Sequence, residues 1–117
     1  MKKKVSISYI AGLFDGEGCI TTSKIMKYNP IMDKRYPCTA IRMELSNTDF
    51  GLVNLCKAYF KEGHVCDIAP RKKGYKPQKR WQLTHRQVYR VLKKLLPYLR
   101  NKDKIKKAKL VMKYYEA

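Results

Sequence analysis

Ile10-Ala11-Gly12-Leu13-Phe14-Asp15-Gly16-Glu17-Gly18 is the stretch on which the reading of this chain turns. It is an apolar, helix-like run that closes on two carboxylates and three glycines, in a chain with 27 basic and only nine acidic residues. Small Ala11 and Gly12 stand beside large Ile10, Leu13 and Phe14, and Gly16 follows Gly12 by four positions. In a helix beginning near Ser8, that spacing puts both glycines on one side and leaves a groove that a second backbone can enter. Asp15 and Glu17 are two residues apart, so at roughly 100° per residue they point to nearly opposite sides and do not share a ligand. Glu17 falls between two glycines where the helix must stop. There a carboxylate meets the negative end of the helix dipole, a poor position unless a cation offsets it. An isolated Asp-Gly-Glu-Gly reads as a solvated turn; the glycine-spaced helix in front of it shifts the reading toward a functional site.

These nine residues, with Tyr9 before them and Cys19-Ile20 opening a strand after them, resemble the LAGLIDADG motif that names a family of homing endonucleases. The positions at which the chain departs from the motif include Phe14, Gly16 and Glu17, and glutamate in place of aspartate keeps the carboxylate. The resemblance extends over nearly the whole chain. It implies an α+β fold of the αββαββα type, with a four-stranded antiparallel sheet shaped as a saddle over DNA, helices on one face, and the motif helices of two units packed together at the centre. It also implies a homing-type DNA endonuclease that hydrolyses both strands of a pseudo-palindromic site across the minor groove, using Mg2+ (or Mn2+).

A double-strand cut needs one carboxylate for each strand, and the motif offers one Glu17. A homodimer is therefore expected, with Ala11, Gly12 and Gly16 at the two-fold interface. Two Glu17 carboxylates held close would repel and raise each other's proton affinity, which a divalent ion relieves. The resemblance gives the Gly16 carbonyl as a second metal ligand, Asn47 as a polar residue that positions the attacking water, and Lys102 as the lysine that stabilises phosphorane charge. Lys104 is a close rival to Lys102, and Asn47 serves equally well as a cap for the helix after it. Asp15 is assigned to the helix end rather than to chemistry. The alternative is a non-cleaving nucleic-acid-binding module, either an intron-RNA maturase or a DNA-binding regulator. Glu17 favours the enzyme, because a binder needs no carboxylate facing phosphates.

Composition narrows the classes independently. At 117 residues, 44% hydrophobic and 31% charged, the chain is long enough for one domain spanning residues 1–117 with its own core. No apolar run approaches the ~20 residues of a membrane span, and the Met1-Lys-Lys-Lys4 start lacks a signal-peptide core. Residence inside the cell, in the cytoplasm, nucleoid or an organelle matrix, is expected. Cys19, Cys38, Cys56 and Cys66 show no Cys-x-x-Cys pairing, so they read as reduced and mostly buried rather than as zinc ligands. His64 and His85 read as structural or surface residues. A formal net charge of +18 calls for a polyanion. Double-stranded DNA is the first expectation, with intron RNA a further one.

Along the chain, Cys19 to Tyr28 reads as a strand and Asn29-Pro30 opens a loop. Thr39 to Leu45 alternates, with Thr39, Ile41, Met43 and Leu45 suited to a core and Ala40, Arg42 and Glu44 suited to a ligand. Ser46-Asn-Thr-Asp49 starts a helix in which Leu52, Leu55, Cys56 and Tyr59 recur at helical spacing. His64 to Ala69 reads as a strand without clear alternation. Lys79 to Thr84 alternates again, Trp81 and Leu83 against Arg80 and Gln82. Thr84-x-x-Gln87 reads as a capping box for a helix that Pro97 kinks or ends, and Ile105, Ala108, Met112 and Tyr115 line a last helix. The open sheet face is the expected DNA surface, since arginine and glutamine suit base edges in a major groove. The residues assigned to DNA are Ser23, Lys24 and Lys27 on the first strand, Arg42 and Glu44 on the second, and Arg80 and Gln82 on the fourth. Arg71, Lys72, Lys73 and Lys76 join them from a basic hairpin loop, and Lys104 from the basic segment near the C-terminus.

Overall fold

The Ser6 hydroxyl accepts the N–H of Tyr9 at 3.2 Å and so caps the first helix, α1, which runs from Ile7 to Glu17. The helix therefore begins just before Ser8, because Ser6 is the residue left extended to act as the cap. A computed structural model describes residues 5–70 and 72–116 of the chain. Helix α1 passes at Gly18 directly into strand β1 (Gly18–Asn29), which pairs antiparallel with β2 (Lys34–Asn47) from Gly18↔Leu45 to Asn29↔Lys34. Both strands are longer than the sequence pattern marked. The reason is the tip: the Asn29 side chain accepts the N–H groups of Ile31 and Met32, and Asp33 takes the left-handed conformation, so a tight turn replaces the expected loop.

Helix α2 (Phe50–Phe60) follows, capped by Asp49, whose carboxylate accepts from Gly51 and Leu52. Its core stripe is Val53, Cys56 and Phe60, while the expected Leu52 and Leu55 are half-buried and Tyr59 is exposed. Burial pushes the Cys56 thiol up to about 11. Strand β3 (His64–Ile68) forms the sheet edge and pairs with β4 (Gln78–Thr84), which in turn pairs with β2. The sheet order is β1-β2-β4-β3, antiparallel throughout. Between α2 and β3, Gly63 has φ of 78°, and a Cβ there would lie 2.5 Å from the Gln82 carbonyl. This close approach lets the Trp81 indole donate to the Glu62 carbonyl at 2.9 Å.

Helix α3 (Arg86–Leu95) ends at a 3-10 turn, Leu96–Tyr98, that contains Pro97, and α4 (Lys102–Glu116) is the last element. The capping box before α3 is half-formed. Gln87 accepts the Thr84 N–H at 3.3 Å, but His85 intervenes with φ of 50° and sends its own N–H to the Ile41 carbonyl, so the Thr84 hydroxyl does not cap the helix. The four helices lie on one side of the sheet and share one core, in which Ile10, Phe14, Met43, Leu45, Trp81, Leu83, Leu92 and Leu95 are fully buried. The architecture is the expected α+β one. Among the described residues no helix is long and apolar enough to cross a membrane.

Candidate active site and nucleic-acid interface

The C-terminal end of α1 is held by a reciprocal clasp with the start of α4. The Asp15 carboxylate accepts the backbone N–H of Arg100 at 2.9 Å and of Asn101 at 3.0 Å. The Asn101 side chain in turn accepts the N–H groups of Asp103 and Lys104, as a helix cap does. From the first turn of α4, the Lys104 ammonium returns to α1 and donates to the Phe14 carbonyl at 3.1 Å and to the Asp15 carbonyl. Each helix thus receives the charge its dipole favours, a carboxylate near the start of α4 and an ammonium at the end of α1.

Lys104 places a cation against the last carbonyls of α1. Lys104, expected both as a DNA contact and as a rival to Lys102, is half-buried here and gives two of its three N–H donors to main-chain carbonyls. Lys102, by contrast, is exposed, and among the described residues it makes no hydrogen bond or ion pair. The Phe14 carbonyl also accepts the Gly18 N–H as the helix closes.

Beyond the clasp, Glu17 is exposed and its carboxylate has no hydrogen-bond or ion-pair partner among the described residues. Gly16 beside it is open, with nothing within 4 Å of where a Cβ would stand. Gly18 is the opposite case. A Cβ there would fall 2.0–2.6 Å from atoms of the buried Phe14 ring, so glycine is what allows the helix to turn into the sheet at this point. Spacing assigns Gly12 and Gly16 to a groove but no packing role to Gly18; the position of the Phe14 ring supplies it.

Asn47 ends β2 at the same end of the sheet, because Gly18 pairs with Leu45 two residues earlier. Its side chain accepts the Asp49 N–H at 2.8 Å and so supports the residue that caps α2. Of the three residues assigned to a dimer face, Gly12 and Gly16 are open on the exterior of α1, on the same helical stripe as the exposed Tyr9. Ala11 is corrected: it is 0% exposed and packs in the chain's own core, because its position in the helix falls on the side of Ile10 and Phe14.

The open face of the sheet follows from register, since directly paired residues share a face. Ile20, Ile41, Met43, Leu45, Trp81 and Leu83 point to the helices. The other parity gives an open face carrying Thr21, Ser23 and Lys27 from β1, Arg42 and Glu44 from β2, and Arg80 and Gln82 from β4. Lys24 shares the parity of Ile20 and so lies on the helix side of β1, exposed and apart from Ser23 and Lys27. Pairing also settles β3, whose sequence did not declare a face: His64 opposes Gln82 and Cys66 opposes Arg80, so both join the open face, while Val65 packs toward the core. Cys19 is exposed and Cys66 half-buried, so Cys56 alone fits the expectation of a buried thiol.

Lys72, Lys73 and Lys76 lie exposed in the loop between β3 and β4, whereas Arg71 lies outside the described residues. The β1–β2 hairpin extends past the helices with Met26, Tyr28, Met32 and Tyr36 exposed and Ile31 at its tip 93% exposed.

As to cofactors, no three His, Cys, Asp or Glu side chains among the described residues gather to hold a metal ion unaided. The free Glu17 carboxylate and the main chain at Gly16 are hard oxygen donors, the type that suits Mg2+ when phosphate oxygens and water complete its shell.

At the level of sequence, no family model and no curated protein matches the chain. Solved structures do. The homing endonuclease I-CvuI, in complex with the I-CreI target and Mg, superposes with a TM-score of 0.69 at 21% identity, covering 92% of this chain and 63% of that one. The group I intron-encoded homing endonuclease I-CeuI, complexed with DNA, gives 0.66 at 15% identity over 99% of this chain and 57% of that one. The LAGLIDADG homing endonuclease I-LtrWI, bound to target DNA, gives 0.65 at 14% identity over 99% of this chain and 39% of that one. The chain spans less than two thirds of the length of these proteins. It has the LAGLIDADG homing-endonuclease fold.

Proposed function

We propose that the protein is a homodimeric, site-specific DNA endonuclease that hydrolyses one phosphodiester bond in each strand with Mg2+ or Mn2+. One observation carries this reading: a carboxylate with no partner, Glu17, stands at the end of a helix whose other terminal charges are all tied. Asp15 is committed to the N–H groups of residues 100 and 101, and Lys104 to the carbonyls of Phe14 and Asp15. Glu17 is left free to act at the end of a rigidly anchored backbone.

Glu17 and the Gly16 carbonyl would hold the metal ion, which when bound polarises the scissile phosphate and a water molecule. Lys104 fits the auxiliary cation better than Lys102, because it is fixed beside the helix end and its charge lies close to where negative charge gathers. The open stripe of Tyr9, Gly12 and Gly16 suits a two-fold contact with a second α1, which brings a second Glu17 to the second strand. Duplex DNA then lies along the open sheet face and the basic loop. The similar structures of I-CvuI, solved on DNA targets with Mg or Ca, support the choice of ligand and metal class. The single domain of residues 1–117 and an intracellular site of action belong to the same reading.

The test is cleavage of a randomised duplex library with Mg2+ or Ca2+ by the wild type and by Glu17→Gln, with the solution mass measured alongside. Mg2+-dependent double-strand cuts at one sequence, lost in Glu17→Gln while binding persists, and a mass of two chains are expected. Tight, salt-sensitive binding with no cut under any metal would sink the enzyme and leave the binding module, with RNA as the next ligand to assay.

A further inference from the structure

On the open sheet face, Arg80 and Glu44 are arranged as a unit. Glu44 on β2 is paired with Gln82, and Arg80 lies two residues along β4, so the two side chains meet diagonally across the strands. The Arg80 Nε stands 3.5 Å from the Glu44 Oε2, and the two side chains are only 35% and 25% exposed. Both of these atoms are cut off from solvent, yet the separation exceeds that of a good charge-assisted hydrogen bond and neither has another partner. One polar atom of each charged group has thus lost water without gaining a hydrogen bond, on a face the fold otherwise leaves open. Among the described residues, the terminal amino groups of Arg80 make no hydrogen bond. Because guanidinium is a planar fork, an Nε edge lying beside a carboxylate leaves one N–H of each terminal amino group directed away from that carboxylate.

We infer that Glu44 is a positioning residue for Arg80, and that the pair reads one guanine in each half of the DNA site. The inference rests on the endonuclease reading above and names part of its specificity. Two parallel donors from a held guanidinium match guanine O6 and N7, the acceptor pair unique to guanine in the major groove. A free arginine makes the same contact but also reaches phosphates, which carry no sequence information. A carboxylate beside the Nε edge disfavours turning that edge to a phosphate, so a group that by its charge opposes DNA binding acts here to sharpen it. The alternating strands in the sequence place both residues on the expected DNA surface, but only the strand register brings them together as a pair.

The test is selection of bound sites from a randomised duplex library by the full chain, comparing wild type, Arg80→Lys and Glu44→Gln at one salt concentration. Thermal melts check that both variants fold, as their place on the open face predicts. Arg80→Lys identifies the position read, by losing a guanine preference there. Glu44→Gln is expected to lose that same preference by roughly tenfold or more, while preferences elsewhere persist and overall affinity does not fall. A role confined to charge would instead raise affinity for all sequences evenly and leave the preference intact, which overturns the inference but not the endonuclease reading. Loss of a guanine preference in Arg80→Lys alone has the same meaning. Selection of no defined site by the wild type overturns both.

Discussion

Replacing Asp15 by alanine should cut the clasp between α1 and α4. The carboxylate accepts two backbone N–H groups, from Arg100 and Asn101, at 2.9 and 3.0 Å. Hydrogen bonds to a charged group contribute about 1.5–3 kcal/mol each where water is excluded. Here Asp15 is half-buried and both donors belong to exposed residues, which water can satisfy after the substitution. Roughly 1 kcal/mol for each bond, or about 2 kcal/mol for Asp15→Ala, is the appropriate magnitude. For a chain of this length that lowers Tm by about 8 °C. Asp15→Asn keeps one acceptor oxygen and loses the charge, so about half of that loss is expected.

The clasp also predicts coupling. Asn101 caps the helix from which Lys104 returns to the carbonyls of Phe14 and Asp15, so Asp15→Ala and Lys104→Met should not add. A double-mutant cycle by urea denaturation should give a coupling of about 1 kcal/mol. If Asp15→Ala melts within about 0.5 kcal/mol of wild type, the ordinary range for surface substitutions, the clasp does not stabilise the helix end. If the two substitutions add within that same margin, the two arms of the clasp are independent.

Gly18→Ala places a methyl group 2.0–2.6 Å from the Phe14 ring and should destabilise by about 3 kcal/mol, measured by denaturant unfolding; an unchanged midpoint would mean that the ring moves freely. The Glu62 carboxyl is held below the ordinary carboxylate range chiefly by the Arg90 guanidinium, which donates to both of its oxygens at 2.9 Å. The unfolded chain then binds that proton at higher pH than the folded one, so the pair's contribution is full above the ordinary value near ~4.3 and disappears as pH falls through the lowered one. Melts between about pH 5 and 3 should therefore show a shallower loss of Tm in Glu62→Gln than in wild type, and parallel curves would refute the pairing. Replacing Lys72, Lys73 and Lys76 by alanine should weaken DNA binding evenly across sequences and reduce the slope of log K against log salt by about 1 for each phosphate that the loop no longer neutralises. An unchanged slope would remove that loop from the interface.

Legibility in the sequence tracked locality. The alternations at residues 39–45 and 79–84 gave the correct core and open faces, because strand periodicity follows from the backbone alone. The stripe of α2 was displaced by a residue, since Leu52 and Leu55 compete with Val53 for the core and only the position of the sheet decides. Strand β3 carried no alternation, and its face was set by pairing with β4. Ala11 was grouped with the glycines by size, although its place around the helix turns it inward. The two lysines 102 and 104 are equivalent as a charge pattern; they differ in that one faces solvent and the other faces the end of α1.

By itself, the sequence determined the order of helices and strands, the net charge of +18 and the motif carrying Glu17, since composition, periodicity and a nine-residue pattern are properties of neighbouring residues. The tertiary structure alone decided which charges remain available. Asp15 is spent on N–H groups 85 and 86 positions away, Lys104 on carbonyls 89 and 90 positions away, and Glu44 faces Arg80 across two strands. Contacts over such separations arise from the packing of one element against another, and no local pattern encodes them.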